Sequence, residues 1–433
     1  MNKKVKLLIM CFFVITTALF VSSCASYPYH LDLMRNPGII GQTDANPFRD
    51  IHKGGQGTDI DIFYATNREP SGEEDIEPFY ANKRGQVLRL GLATVRFGGK
   101  DLRWDELKEQ SLLKNRKKKY PLEVIGVEEF GVLNTSLSRL DPNRYTPEAR
   151  KPAEEFAEDI NKKLEQTKNK SINIFVGGFR INFENPILVA AELWHYTGYK
   201  GLFFAFPWPA TPGSVFSYSA DLETAMYSSR ELRLLLYFLA SKTKVEKINI
   251  IAYSAGSRVV AGALKDIRLQ NPGDDKNTLR SKFKIGQVMF IGADLDKNIF
   301  GSLFDDGFHE VPETMTIYLS QVDDTLGIAT WLLRSQRMGT ITEEELTPET
   351  VKYLRTHNDL IAIDVTDAKY SHAEHGHGYF INSPWVSSDL LISLAFKKSP
   401  EERGLVRKEG KGIWTFPPSY IKRLQIEVEN GKE

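Results

Sequence analysis

One short stretch, residues 248–258, constrains the fold more than any other part of the chain. It reads INIIAYSAGSR, an apolar β-branched run followed directly by the pattern of an amphipathic helix. Ser254 lies at the junction, with the small residues Ala252 two positions before it and Gly256 two positions after it. Small neighbours are typical of a nucleophile elbow, in which a strained serine backbone turns sharply from a strand into a helix. The stretch therefore predicts a buried strand, a tight turn that carries Ser254, and a helix packed behind it.

Strand and helix patterns alternate along most of the chain. In order they are a helix at 147–167, a strand at 171–176, a helix at 186–197, a strand at 201–206, a helix at 217–242, a strand at 247–252, a helix at 256–269, strands at 285–291, 314–319 and 360–365, and a helix at 387–396. Near-continuous apolar strands between helices indicate a parallel sheet covered on both faces. Earlier strand patterns at 60–66, 87–97 and 122–127 have no helix between the first two, which predicts an antiparallel edge. With the turn at Ser254, the pattern predicts an α/β-hydrolase fold: a mostly parallel, doubly wound sheet with an antiparallel N-terminal edge.

The N-terminus has the pattern of a lipoprotein signal peptide. Three lysines among the first six residues precede an apolar run at 7–19, which is shorter than the roughly 20 residues that a membrane span needs. Residues 21–24, Val-Ser-Ser-Cys, resemble a lipobox. The resemblance implies that 1–23 are removed and that Cys24 becomes a lipidated N-terminus carrying acyl chains such as palmitate. We expect a protein anchored in the cell envelope. Ala25, and not Asp, follows the cysteine, and the resemblance to enterobacterial lipoprotein sorting then implies the outer membrane rather than the inner one.

Composition excludes several classes of function. The cysteines are Cys11 and Cys24; the first leaves with the signal and the second would be acylated, so thiol catalysis and thiolate metal sites are excluded. The chain has 56 basic and 56 acidic residues. Removal of 1–23 takes away three lysines and no acid, which leaves 53 against 56 and a net charge of −3. Nothing indicates a nucleic-acid partner, and the basic run at 114–119 is either a solvated loop or a contact with anionic headgroups.

The chain is expected to form one main domain. Three prolines and a glycine-rich run at 53–57 indicate a tether before the first strand, and these glycines are not a phosphate loop because no Gly-Lys-Ser/Thr follows them. The predicted organisation is a signal peptide at 1–23, a flexible tether at 24–57, a hydrolase domain at 58–398 and a C-terminal extension at 399–433.

A serine nucleophile needs a base within hydrogen-bond reach and a third group that orients the base. In α/β hydrolases these follow the serine in the order acid, then histidine. The strand at 314–319 is followed by two aspartates, and the strand at 360–365 leads into a histidine-rich loop. The candidate acid is Asp323, with Asp324 and Asp294 as alternatives, and the candidate base is His377, with His375 and His372 as alternatives.

An oxyanion hole requires two backbone N–H groups that point at the developing charge. Ala255, directly after the serine, is expected to supply one. The other is expected from Phe179, because Gly177 and Gly178 follow the strand at 171–176 and allow the backbone to approach the substrate closely.

Seven stretches between residues 59 and 396 carry a family resemblance. They are 61–68 (DIFYATNR), 175–179 (FVGGF), 201–209, 218–221 (YSAD), 251–258, 318–326 and 376–380 (GHGYF). Together they resemble the bacterial α/β-hydrolase family of unknown function that is nine hundredth in the domain-of-unknown-function series and is related to esterases and lipases. The resemblance implies serine-hydrolase chemistry, and the acid and histidine motifs of the family fall on Asp323 and His377.

The chain departs from that family pattern at four positions. The family elbow reads Ala-His-Ser-Met-Gly, whereas Tyr253 and Ala255 flank the serine here. The family's His-Gly-Phe-Asn is replaced by a stretch that begins with Gly177 and ends with Arg180. Backbone donors do not depend on these side chains, so the expected oxyanion hole is retained.

The histidine-rich loop allows one alternative chemistry. His372, Glu374, His375 and His377 could together bind zinc. However, residues 375 and 377 are too close for pairing on one helix face, and no His-Glu-x-x-His motif is present. We therefore expect neither a metal nor another cofactor.

The predicted activity is that of a carboxylic-ester hydrolase. Ser254 is the expected nucleophile, His377 the base and Asp323 the orienting acid. The expected partners are a small-molecule or lipid acyl ester and the membrane that holds Cys24. Two alternatives remain: an acyltransferase that uses the same residues, and a non-catalytic envelope binding protein, which the unusual Tyr253 and Gly177 favour.

Overall fold

A computed structural model describes residues 30–40, 46–49, 51, 57–211, 218–333, 335–396, 398–408 and 410–430. The predicted signal peptide and the lipobox with Cys24 lie outside the described residues. None of the helices in the described part is both long and apolar enough to cross a membrane.

The described strands form one twelve-stranded sheet. They are β1 (Leu31–Asp32), β2 (Asp59–Pro70), β3 (Tyr80–Phe97), β4 (Pro121–Val132), β5 (Ser171–Val176), β6 (Leu202–Ala205), β7 (Lys247–Tyr253), β8 (Ile285–Ile291), β9 (Thr314–Leu319), β10 (Leu360–Asp364), β11 (Val406–Arg407) and β12 (Trp414–Thr415). Their order across the sheet is β1-β4-β3-β2-β6-β5-β7-β8-β9-β10-β12-β11. Pairing is antiparallel from β1 to β2, parallel from β2 to β12, and antiparallel again between β12 and β11. The predicted fold class, with its antiparallel N-terminal edge, is confirmed.

Helices cover both faces of the sheet. Those described are α1 (Trp104–Leu112), α2 (Pro147–Glu165), α3 (Glu184–Tyr196), α4 (Tyr218–Lys242), α5 (Gly256–Gln270), α6 (Lys276–Phe283), α7 (Lys297–Asp305), α8 (Asp324–Leu333), α9 (Pro348–Thr356), α10 (Tyr379–Asn382), α11 (Pro384–Phe396) and α12 (Tyr420–Asn430). The apolar faces of α2, α4 and α5 share one core with one side of the sheet, and those of α3, α11 and α12 share a second core with the other side.

The side chains of the central strands point alternately into the two cores. In β7, Ile248 and Ile250 lie in the first core and Ile251 lies in the second. Successive side chains of a strand point to opposite faces, so a parallel strand buried on both sides must be apolar at nearly every position. This requirement explains the near-continuous apolar runs in the sequence.

Part of the predicted tether is packed against the domain. Leu33, Met34, Ile39 and Ile40 are buried, and β1 pairs with β4 at the edge of the sheet. The described residues 30–40 thus differ from the flexible tether that was predicted at 24–57. Prolines correctly indicated an irregular path, but they did not reveal that the apolar residues between them cover the second core.

The predicted C-terminal extension is continuous with the sheet. β12 pairs with β10, with Trp414 opposite Ile363. Arg403 is buried, and its Nε donates to Asp389 Oδ1 on α11 at 2.8 Å. The other carboxylate oxygen of Asp389 accepts from the hydroxyl of Tyr318 on β9 at 2.8 Å. Arg403, which belongs to the C-terminal segment, thus neutralises the buried carboxylate of Asp389. We therefore expect the segment to unfold together with the sheet.

We expect Arg403→Leu to lower the free energy of unfolding by about 3–5 kcal/mol, because it leaves the buried Asp389 without a counter-charge. Glu402→Gln breaks the neighbouring, partly exposed pair with Lys398 and should cost less than about 1 kcal/mol. Urea unfolding of both variants measures the difference. Equal, small losses would show that the C-terminal segment unfolds independently of the sheet.

Candidate active site

Ser254 occupies a strained turn between β7 and α5. Its φ of 52° lies in the left-handed region, which costs energy for any residue with a side chain and persists only where the surroundings impose it. The turn is fixed by two backbone bonds: Ser254 N donates to Ile291 O at 2.9 Å, and Asp294 N donates to Ser254 O at 3.2 Å. The sequence therefore folds into the tight strand-to-helix turn that was predicted for it.

Close packing behind the turn explains the small residue at position 256. A Cβ atom on Gly256 would collide with the carbonyl oxygens of Val176 and Gly177. The start of α5 is thereby pressed against the end of β5, the neighbouring strand in the sheet. This brings the loop after β5 close to Ser254.

His377 connects Ser254 to an acid. Its Nε2 lies 2.9 Å from Ser254 Oγ, and its Nδ1 lies 2.7 Å from Asp323 Oδ2. A carboxylate can only accept, so Nδ1 carries the proton and Nε2 is free to accept the hydroxyl hydrogen of Ser254. The structure thus brings together the three side chains that the sequence singled out.

Asp323 lies in the turn between β9 and α8, where its side chain is held in one orientation. Its side chain is fully buried, and its second oxygen accepts from Leu326 N at 3.0 Å. Both oxygens are therefore used to fix the orientation of the carboxylate. Asp324, the first residue of α8, is exposed to solvent.

Asp294, the other alternative acid, has different neighbours. Its Oδ1 lies 3.3 Å from the guanidinium of Arg258 and 3.7 Å from that of Arg337. The Arg337 side chain is almost completely buried. The Asp294 carboxylate thus belongs to an ion-pair network next to the turn.

The loop that carries His377 is shaped by glycines and by an aromatic ring. Gly376 has a φ of +70°, and a Cβ there would collide with Val322 O. A Cβ on Gly292 would lie 3.1 Å from Cε1 of the imidazole. The ring of Tyr253 packs at a centroid distance of 5.0 Å from that of His377. Tyr253, which stands where the family's elbow motif has a histidine, therefore packs against one side of the His377 ring.

His372 and His375 lie on the same loop and are exposed. Within the described residues, no group of three or more histidine, cysteine, aspartate or glutamate side chains is placed to hold a metal ion. His377 itself is engaged with the serine and the aspartate.

The loop after β5 passes directly beside Ser254. A Cβ on Gly178 would lie 2.9 Å from Ser254 Cβ and 3.3 Å from its Oγ. Phe179 follows Gly178 and is half-buried against the first core. Ala255 is buried and precedes the first residue of α5, where the positive end of the helix dipole lies. Both segments from which oxyanion donors were predicted therefore adjoin the serine.

Arg68 anchors this loop, a role that the sequence did not reveal. It is fully buried on β2, and its guanidinium donates to Ile181 O at 3.0 Å and to Trp208 O at 2.8 Å. The indole of Trp208 in turn donates to Gly177 O at 2.8 Å. Burial lowers the pKa of Arg68 to about 9, so it remains charged at neutral pH. The sequence feature that could have indicated this role is that Arg68 ends the stretch 61–68, one of the stretches that resemble the family.

A family model described as "Alpha/beta hydrolase of unknown function (DUF900)" matches residues 152–394, more than half of the chain. No curated protein matches the chain. Among solved structures, a "putative cell surface hydrolase" from Lactobacillus plantarum is similar at 12% identity and a TM-score of 0.31, covering 55% of this chain and 95% of its own.

The bond between His377 and the buried Asp323 should place the Nδ1 proton at low field in the ¹H NMR spectrum. Asp323→Asn should abolish this resonance, because the amide is a weaker acceptor and its nitrogen cannot accept at all. The matched change Asp324→Asn, at the exposed neighbour, should leave it in place. A resonance that survives Asp323→Asn and disappears in Asp294→Asn would assign the acid to Asp294.

Proposed function

The chain belongs to the DUF900 family of α/β hydrolases of unknown function, and on this premise we propose that it is a serine hydrolase that cleaves carboxylic esters through an acyl-enzyme. The observation that carries the proposal is the 2.9 Å contact between Ser254 Oγ and His377 Nε2 at a strained strand-to-helix turn. A serine with an oriented base within hydrogen-bond reach is the requirement for nucleophilic catalysis by a hydroxyl.

In the proposed reaction, Ser254 Oγ attacks the acyl carbonyl carbon while His377 Nε2 takes the hydroxyl proton. The Asp323 carboxylate stabilises the imidazolium and holds it in one tautomer. The same proton then passes from Nε2 to the departing alkoxide, and the acyl group remains on the serine oxygen. Water, deprotonated by His377, attacks the acyl-enzyme and releases the carboxylic acid.

The negative charge that develops on the carbonyl oxygen needs backbone donors. We assign them to the N–H groups of Ala255 and Phe179. Gly178 supports this assignment, since its lack of a side chain leaves the space beside Ser254 Oγ open. Arg68 positions the loop by donating to the carbonyl oxygen of Ile181.

A fluorophosphonate probe should modify Ser254, because only a serine activated by a base reacts readily with such reagents. Ser254→Ala and His377→Ala should both abolish labelling while the protein stays folded. His375→Ala, an exposed histidine of the same loop, is the matched control and should label like the wild type. In-gel fluorescence and peptide mapping measure the result, with circular dichroism as the check on folding.

Three outcomes would contradict the proposal. Folded wild-type protein that resists the probe, with and without detergent, would favour a non-catalytic binding protein. Activity that is lost on chelation and restored by zinc would assign the chemistry to the histidine-rich loop instead. Transfer of the acyl group to an added alcohol or amine, faster than to water, would make the enzyme an acyltransferase that uses the same site.

We also propose that the protein is anchored in the cell envelope through acylated Cys24, with the outer membrane favoured. The support is the basic and apolar pattern of residues 1–19 and the lipobox-like sequence at 21–24. More than one acyl chain is sufficient for stable anchoring. The anchored hydrolase domain would then encounter its acyl-ester substrate at or near a membrane surface.

Cys24→Ser should abolish incorporation of a labelled fatty acid and leave the precursor uncleaved by the lipoprotein peptidase. Metabolic labelling and the shift in mass on processing measure both effects. Normal processing and unchanged membrane partitioning of the variant would show that anchoring does not depend on this cysteine.

A further inference from the structure

A basic cleft lies at the edge of the sheet where the chain enters the domain. It has a volume of about 270 Å³ and is lined by five cationic side chains and one acidic side chain. The cations are Arg35, Lys114, Arg116, Lys118 and Lys119, and the acid is Asp32. We call this surface the basic cleft. The proposed reaction uses none of these residues.

Most of this positive charge is not neutralised by the protein. Lys119 pairs with Asp32 at 2.7 Å. Lys114 and Lys118 are exposed and make no ion pair within the residues that the structure describes. Further acids nearby are Glu106 and Glu109 of α1, next to Tyr120, and Glu192 of α3, which lies close enough to Arg116 to interact with it electrostatically; burial raises the pKa of Glu192 to about 8.

The two arginines are held in place by uncharged groups. Arg116 donates to Leu33 O at 2.6 Å and to the hydroxyl of Tyr196 at 3.3 Å. The guanidinium of Arg35 lies 4.6 Å from the centre of the Tyr370 ring. Carbonyl, hydroxyl and aromatic partners orient a guanidinium without removing its charge. The cleft therefore has the positive charge to attract an anion such as a phosphate group.

The position of the cleft indicates which kind of molecule would supply the phosphate group. The cleft adjoins the pairing of β1 with β4. Leu33 and Tyr120, which are joined by a backbone bond of 2.8 Å from Leu33 N to Tyr120 O, both line it. Leu31 lies seven positions after Cys24, and an extended chain covers at most about 3.6 Å per position, or roughly 25 Å in all. A lipid on Cys24 would hold this edge of the sheet close to the membrane surface. Attraction to anionic lipids acts within about one Debye length, ~10 Å at 0.1 M salt.

We propose that the basic cleft binds the headgroups of anionic phospholipids in the membrane that carries the anchor, and so fixes the orientation of the hydrolase domain on that membrane. This inference rests on the proposed acylation of Cys24, but not on the proposed catalysis. Hydrophobic anchoring alone leaves the domain free to rotate about its tether. A second, electrostatic contact at the entry point of the chain removes that freedom.

The mature lipoprotein allows a direct test, because acylation of Cys24 and loss of Cys11 leave it without a free thiol. A single cysteine is introduced as Asn115→Cys, at an exposed position of the cleft, and labelled with a fluorophore. The matched control is Asn277→Cys, exposed on α6 beside β8, seven strands away from β1. Both proteins are reconstituted into vesicles of phosphatidylcholine alone or mixed with phosphatidylglycerol, each with a headgroup spin-labelled lipid as quencher.

Quenching at position 115 should be several-fold stronger in the phosphatidylglycerol vesicles than in the neutral ones, and about 1 M salt should remove the difference. Position 277 should show no dependence on lipid charge. Lys114→Glu with Lys118→Glu should abolish the effect, whereas the matched pair Lys151→Glu with Lys162→Glu, exposed on α2, should not. Circular dichroism and thermal unfolding like those of the wild type, measured before reconstitution, would show that each variant is folded.

Equal quenching at position 115 in both vesicle types, no quenching in either, or quenching that survives reversal of the two cleft lysines would overturn the proposal. Protein that fails to float with neutral vesicles would refute the acyl anchor and with it this inference. Failure of the fluorophosphonate to label wild-type protein that shows the expected quenching would refute only the proposed hydrolase activity.

Discussion

The close approach of three backbone segments behind Ser254 is the constraint on which the site depends. The end of β5, the turn after β7 and the first residue of α5 meet where a single Cβ atom on Gly256 would not fit. Interiors packed to this density transmit small displacements rather than absorb them. The left-handed backbone of Ser254 can therefore be maintained, and the loop with Gly178 is held against the serine side chain. The imidazole of His377 meets a serine hydroxyl whose position is already fixed.

Charged groups inside the fold hold the loops of the site in place. Arg68 links two loops through their carbonyl oxygens, and the Arg337 side chain, like that of Asp294, is almost fully removed from solvent beside the turn. Burying charge is expensive unless each group is paired or hydrogen-bonded. Such groups add little net stability compared with apolar packing, but their directional bonds restrict each loop to one arrangement. A site made of loops gains its precision in this way.

The fold and the central side chains of the site could be predicted from sequence because each is encoded locally. The strand-turn-helix pattern around Ser254 is contained in eleven residues, and the alternation of strands and helices indicates the parallel sheet. Residue order restricted the acid and the base to a few candidates each. The family resemblance then favoured Asp323 and His377; in the structure His377 contacts Ser254, and Asp323 contacts His377.

Features that depend on distant partners could not be predicted in the same way. An arginine at the end of a strand pattern gives no indication that its acceptors lie more than 100 residues away. The packing of residues 30–40 could not be predicted, because irregular segments have no hydrophobic periodicity. The short strands β11 and β12, of two residues each, are below the length at which alternation is detectable. In each case tertiary contacts, and not local preference, determine the structure.

The buried pair between Arg403 and Asp389 has a consequence for the order in which the site can mature. Asp389 also binds Tyr318 on β9, the strand that leads to Asp323. Residue 403 follows every member of the site in the chain, so a chain that is ordered only as far as His377 still has an unneutralised carboxylate beneath the strand that leads to Asp323. Completion of the core, and with it a fixed position for Asp323, therefore awaits the docking of the segment around Arg403. Assembly of the site is thereby coupled to a part of the chain that supplies none of its side chains.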